Sequence, residues 1–154
     1  MKKFLLSGLT LWIGSSVLGS GALAQGSGAR VYVAYCQGCH QAGGQGNKGI
    51  FPPLNKHVPN ILAAKGGRQY LANIMIGGLQ GPIQVSGVKY NQVMPAFSQL
   101  NDADLAGLLN YISTSWDNKF PKGQKTYTAD EIKAARAKKP NAQTNYKARP
   151  KTLK

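Results

Sequence analysis

Cys36-Gln37-Gly38-Cys39-His40 constrains this chain more than any other stretch. Its spacing, Cys-x-x-Cys-His, is that of a c-type haem attachment. Two thiols this close on a short turn can add across the two vinyl groups of one porphyrin. The His directly after the second Cys then lies under the iron and can bind it through an imidazole nitrogen. Few five-residue patterns tie a chain so closely to one cofactor.

Other chemistries use the same residue types. A structural zinc site needs four ligands. The candidates are Cys36, Cys39, His40 and His57, and adjacent Cys39 and His40 sit awkwardly on one ion. A thioredoxin-like dithiol expects a βαβ context. A disulfide between residues so close would restrain little chain. Covalent haem is favoured, and the export signal described next supports it.

Residues 1–24 have the pattern of a cleaved leader. Lys2 and Lys3 precede an apolar run from Phe4, which Gly8, Gly14 and Gly19 loosen. Ala22-Leu23-Ala24 supplies a small-x-small cleavage site and places the mature start at Gln25. An uncleaved anchor is the rival, because the apolar run approaches the length of a membrane span. No Cys stands at the cleavage site to carry a lipid. The mature chain divides by charge. Residues 25–118 carry a net +3, and residues 119–154 carry eleven basic groups against Asp130 and Glu131, a net +9. The tail is therefore expected to be a basic, partly disordered extension that meets anionic partners or an anionic membrane surface and is separate from the haem ligands. Nucleic acid is a poor partner for an exported chain.

The length suits one domain. Residues 28–35 run helix-like into the haem motif, although Val31, Tyr32 and Val33 would also suit a strand. Residues 41–57, rich in Gly, Asn and Pro, are expected to be loop. Helices are predicted at 59–65 and 68–76, the second ended by Gly77-Gly78. Residues 78–97 form an extended loop with a short alternating run from Ile83 to Val88. The last core helix has the clearest signals. Asn101 is a candidate N-cap, Asp102 and Asp104 complement the helix dipole, and Leu105, Leu108, Leu109 and Ile112 share one face. Leu108 and Tyr111 should face Gly28 and Tyr32 on the first helix. In the tail, Thr128 and Glu131 fit a capping box that opens a marginal helix over 129–139.

Iron held by His40 needs a sixth ligand or a vacancy. Met75, Met94, His57 and the lysines are the candidates. Met94 is favoured, because Val93-Met94-Pro95-Ala96-Phe97 is a loop that can carry a thioether to the iron and Pro95 restricts it. Met75 lies in an apolar helical stripe, where packing is the better use. His57 follows Lys56 in a polar loop and is expected to be exposed.

These features together resemble a monohaem class I cytochrome c over about residues 28–118. Cys-x-x-Cys-His and Met94-Pro95-Ala96-Phe97 are the specific anchors, and Phe51-Pro52-Pro53-Leu54 is similar to the family's Pro-containing loop. The resemblance implies an all-α cytochrome c fold, with three to five helices and long loops around one haem c. It implies His40 and Met94 as iron ligands, Cys36 and Cys39 as attachment points, Pro52 as carbonyl partner of His40, and Leu54 packed on the haem. Tyr90 or Asn91 would bond the Met94 sulfur or a propionate. Gly78-Leu79-Gln80-Gly81-Pro82-Ile83 and Ser115-Trp116-Asp117-Asn118 look like small bacterial cytochromes that serve periplasmic dehydrogenases or terminal oxidases.

The implied role is a periplasmic one-electron carrier and not an enzyme. Imidazole and thioether leave the iron no open site, and thioether ligation in an apolar pocket raises the potential. Its redox protein partners would present acidic docking faces. The alternative is a haem enzyme or gas sensor with a labile distal ligand, such as a peroxidase-like protein.

Overall fold

The computed structural model describes residues 21–153, with side chains from Ser27 onward. The leader assigned to residues 1–24 lies outside them, apart from Gly21 to Ala24 in the backbone of the first helix. Helices α1 (Gly21–Tyr35), α2 (Gln37–His40), α3 (Val58–Ala63), α4 (Gly67–Gly77) and α5 (Asp102–Thr114) build the part expected to be core. The all-α reading holds with one addition. Strands β1 (Ile83–Val85) and β2 (Val88–Tyr90) form a small antiparallel hairpin, with Ile83 opposite Tyr90. Ser86 and Gly87 both take positive φ at its turn, as a tight hairpin requires.

Helices α1 and α5 lock the fold, and local chemistry explains why they meet. Asn101 caps α5 by accepting the Asp104 N–H at 2.8 Å. The apolar stripe that follows is fully buried at Leu105, Leu108 and Leu109. Gly28 packs on the backbone of Gly107, and a Cβ there would collide with the Gly107 carbonyl. Tyr32 is buried beside Tyr111, with ring centroids 5.5 Å apart. Gly28→Val should therefore overpack the contact and cost about 1–3 kcal/mol. A denaturant titration measures this, and an unchanged midpoint would contradict the contact.

The expectation of a partly disordered tail is corrected. After Asn118 the chain turns back and straps the core with helices α6 (Ala129–Ala137) and α7 (Ala142–Lys147). Tyr127, Ile132, Ala135 and Leu153 are buried in the same apolar cluster as α4 and α5. The polar anchors are specific. Asn110 pairs with both the N–H and the carbonyl of Tyr127, at 2.6 and 3.0 Å. Asn145 is 1% exposed and donates to the carbonyls of Asn73 and Gly78.

Two ion pairs close the strap, Arg68 to Glu131 at 2.6 Å and Arg136 to Asp102 at 2.8 Å. The Arg68 guanidinium also lies 3.9 Å from the centroid of the Tyr127 ring. Thr128 caps α6 as expected, while the Glu131 carboxylate turns to Arg68. Mean charge concealed these anchors, because each buries against the core and not against its neighbours in sequence. All eight lysines from Lys119 to Lys151 stay exposed.

Candidate haem site

The haem motif straddles the end of α1. Cys36 follows that helix and is buried, and Cys39 lies exposed in α2. Neither thiol is in a disulfide. Burial pushes the Cys36 thiol up to about 12, and the neighbouring Cys39 pushes in the same direction. A neutral, unpaired thiol is the form that can add to a vinyl group.

His40 is oriented by the loop that follows. Its Nδ1 lies 2.9 Å from the Pro52 carbonyl oxygen. A carbonyl only accepts, so Nδ1 carries the proton and Nε2 presents its lone pair. Burial lowers the pKa of His40, and the bond to Pro52 opposes that in part. The side chain is thus a neutral imidazole with one nitrogen free, the state a metal ligand needs.

Met94 is held through its backbone. It exchanges both hydrogen bonds with Leu79 at 2.9 Å, and the Phe97 N–H donates to the Met75 carbonyl at 2.9 Å. The loop before α5 is so stitched to the end of α4, where Gly78 takes a φ of 72° and stops the helix. His40, Pro52, Leu79, Ile83 and Met94 all line one cleft with two lobes. Counting the open space at their mouths, the outer lobe measures about 660 Å³ and the inner about 510 Å³. The outer lobe holds both cysteines, and the inner holds Leu54 and Met75. Paired thiols at one side, a neutral imidazole with a free Nε2, and apolar walls fit a covalently held porphyrin.

Other residues fall less evenly. Tyr90 is buried and lines the outer lobe, whereas Asn91 is exposed. Met75 is 3% exposed within α4, as packing requires. His57 is corrected, since it is half-buried and lines the inner lobe. Burial lowers its pKa to about 4, with Arg149 adding to the effect. Sequence reasoning missed two further residues of this lobe, Tyr70 and Arg149. Nothing local in the sequence marks them, because Arg149 reaches the cleft only through the strap.

A helical fold wrapped around a cleft with Cys-x-x-Cys-His at its rim defines a haem c protein. The comparisons agree, for the Cytochrome c family model matches residues 26–116. The chain belongs to the cytochrome c family, whose members carry covalently attached haem c with iron and move electrons, and it is of the monohaem class I kind. It is 55% identical over 124 residues to a cytochrome c-552 of Thermus thermophilus, covering 80% of this chain and 83% of that one. It is 33% identical over 120 residues to an alcohol dehydrogenase (quinone), cytochrome c subunit, of Gluconacetobacter polyoxogenes, covering 77% of this chain and 24% of that one. A fructose dehydrogenase cytochrome subunit of Gluconobacter japonicus is 30% identical over 117 residues, covering 71% and 22%. The chain thus spans about a quarter of the dehydrogenase subunits.

Proposed function

We propose that the protein is a periplasmic one-electron carrier whose haem iron is held by His40 and Met94. Its electrons come from a dehydrogenase or pass to a terminal oxidase. One observation carries this reading: His40, with Nδ1 engaged by Pro52, lines the same cleft as Met94, whose backbone is pinned to Leu79. Bound haem supplies a reversible ferric–ferrous couple in this cleft. Cys36 and Cys39 would anchor it, His40 and Met94 would hold its iron, and Leu54 and Leu79 would line its apolar surroundings. Iron held by two protein side chains would favour electron exchange over catalysis at the metal.

Tyr35, Ile50 and Val93 are exposed and line the mouth of the outer lobe, which supports electron entry through an apolar contact there. The exposed lysines of the strap favour an acidic protein face or an anionic membrane surface as the second contact. The similarity to dehydrogenase cytochrome subunits supports a dehydrogenase as donor.

One preparation tests the reading. Protein released from the periplasm should have the intact mass of residues 25–154 plus one haem, and its ferrous spectrum should not move under carbon monoxide. A spectrum that shifts readily would favour the gas-binding or peroxidase-like alternative.

A further inference from the structure

Trp116 and Asp117 follow the end of α5 with two successive strained backbones, at φ 54° and 66°. A bulky side chain rarely takes this left-handed region, and such strain persists only where surrounding contacts enforce it. Asn118 supplies those contacts. It is buried, its Nδ2 donates to the Leu54 and Ile112 carbonyls at 3.1 and 2.8 Å, and its Oδ1 accepts the Lys56 N–H at 2.8 Å. The indole is aimed as a result. Trp116 Nε1 donates to the Ala42 carbonyl at 3.0 Å, and the ring covers Gly44, where a Cβ would strike it. Its ring centroid lies 5.0 Å from that of Tyr32 and 5.7 Å from that of Tyr111. Tyr32 ties this cluster to the haem motif at two points. Its hydroxyl donates to the Gln41 carbonyl at 2.6 Å, one residue after His40. Its carbonyl accepts the Cys36 N–H at 2.8 Å. Burial raises the pKa of the hydroxyl, so the ring stays neutral. Trp116 is part-exposed, and neither it nor Tyr32 lines a lobe of the cleft. A continuous set of bonds and ring contacts thus runs from His40 and Cys36 to the surface, outside the cleft's mouth.

We infer that Trp116 marks a second electron-exchange port, reached through Tyr32 from the His40–Gln41 and Cys36 backbone, at which a one-electron acceptor protein takes the electron that the mouth admits. This rests on the haem reading above. Tunnelling falls off less steeply through covalent bonds, hydrogen bonds and packed rings than across a gap. The rings therefore act as a bridge and are not themselves oxidised. One electron enters the iron from a donor at the mouth, and one leaves it to an acceptor at Trp116. The carrier can then pass charge on without first releasing its donor. Tight packing of α1 on α5 accounts for Tyr32 and Tyr111. It does not call for a strained indole that reaches solvent, and strain of this kind points to a use.

The test uses the full chain carrying its haem, with a ruthenium polypyridyl photoreductant on one introduced thiol. One form carries the label at Thr114→Cys, exposed beside the port, and the other at Ile50→Cys, exposed at the mouth. A flash moves one electron from the label to ferric iron, oxidising the label as the iron is reduced, and the ferrous absorbance gives the rate. Trp116→Leu should slow reduction from Thr114 severalfold and leave the rate from Ile50 as it is. Trp116→Phe keeps a ring and should restore most of the lost rate. Tyr32→Phe removes only a hydroxyl, and with it the link to Gln41. It should slow reduction from Thr114 to a lesser degree while the midpoint potential stays that of the parent. An unchanged Thr114 rate in Trp116→Leu, or an equal slowing from both labels, overturns the inference. Should Trp116→Leu fail to fold, an unchanged Thr114 rate in Tyr32→Phe overturns it as well. Parent protein without covalent haem by intact mass would instead overturn the haem reading beneath it.

Discussion

A chain ending at Asn118 is expected to lose several kcal/mol of stability, enough to threaten its fold at ordinary temperatures. The strap buries Tyr127, Ile132 and Leu153, and each large side chain is worth about 1.5–3 kcal/mol when fully buried. These figures are upper bounds, because the unfolded chain already hides some apolar surface. Even about 5 kcal/mol is comparable to the whole stability of a small domain, about 5–15 kcal/mol. Truncation also uncovers the faces of α4 and α5 that α6 and α7 pack against.

The lost ion pairs matter less. Arg68 and Asp102 are part-exposed and would be resolvated, so each pair contributes about 0–1 kcal/mol. Guanidinium titrations of both chains, followed by the haem absorbance, should show a lower midpoint and a shallower slope for the shorter one, since slope tracks buried surface. Ile132→Ala in the full chain isolates one anchor and should cost about 2–5 kcal/mol. Equal midpoints for the full and shortened chains would return the tail to the role of a solvated extension.

The sequence was informative wherever function and local structure share the same residues. Cys36, Cys39 and His40 are contiguous, and their chemistry dictates their spacing. Asn101, Asp102 and Asp104 mark the start of α5 because a cap is a local device, and Leu105 to Ile112 show their face by helical period. Pro52 was legible as the partner of His40 only through resemblance, since twelve positions separate them. The strap was not legible. Its anchors are single residues spread over 118–153, each completed by a partner more than fifteen positions away, as Asn110 is for Tyr127 and Arg68 for Glu131. Between them stand lysines, so composition describes the solvent face of the strap and not the face it buries. The same cause hid Arg149 and left His57 looking like an exposed loop residue. His57 shares its lobe with Arg149, on a segment that returns from the far end of the chain.

Met94→Ala is expected to abolish the near-infrared sulfur-to-iron band of the ferric protein, to lower the midpoint potential, and to admit cyanide or carbon monoxide readily. The substitution is unusually clean here. Met94 is held in its loop by two backbone hydrogen bonds to Leu79, and neither involves the side chain. Alanine keeps both, and Pro95 still restricts the loop, so the change removes the thioether and little else. The potential should fall because a thioether favours ferrous iron more than the water or vacancy that replaces it. Met75→Ala supplies the contrast. Met75 is 3% exposed, and its removal should leave a cavity costing about 2–5 kcal/mol while the band persists. Both methionines line the inner lobe, so the cavity alone does not decide between them. Their backbones do. Met75 sits inside a helix whose face packs into the core, whereas Met94 sits on a strand-like bridge beside the cleft. If Met94→Ala kept the band and Met75→Ala lost it, the iron would be held from α4, and the loop before α5 would be a lid instead of a ligand carrier.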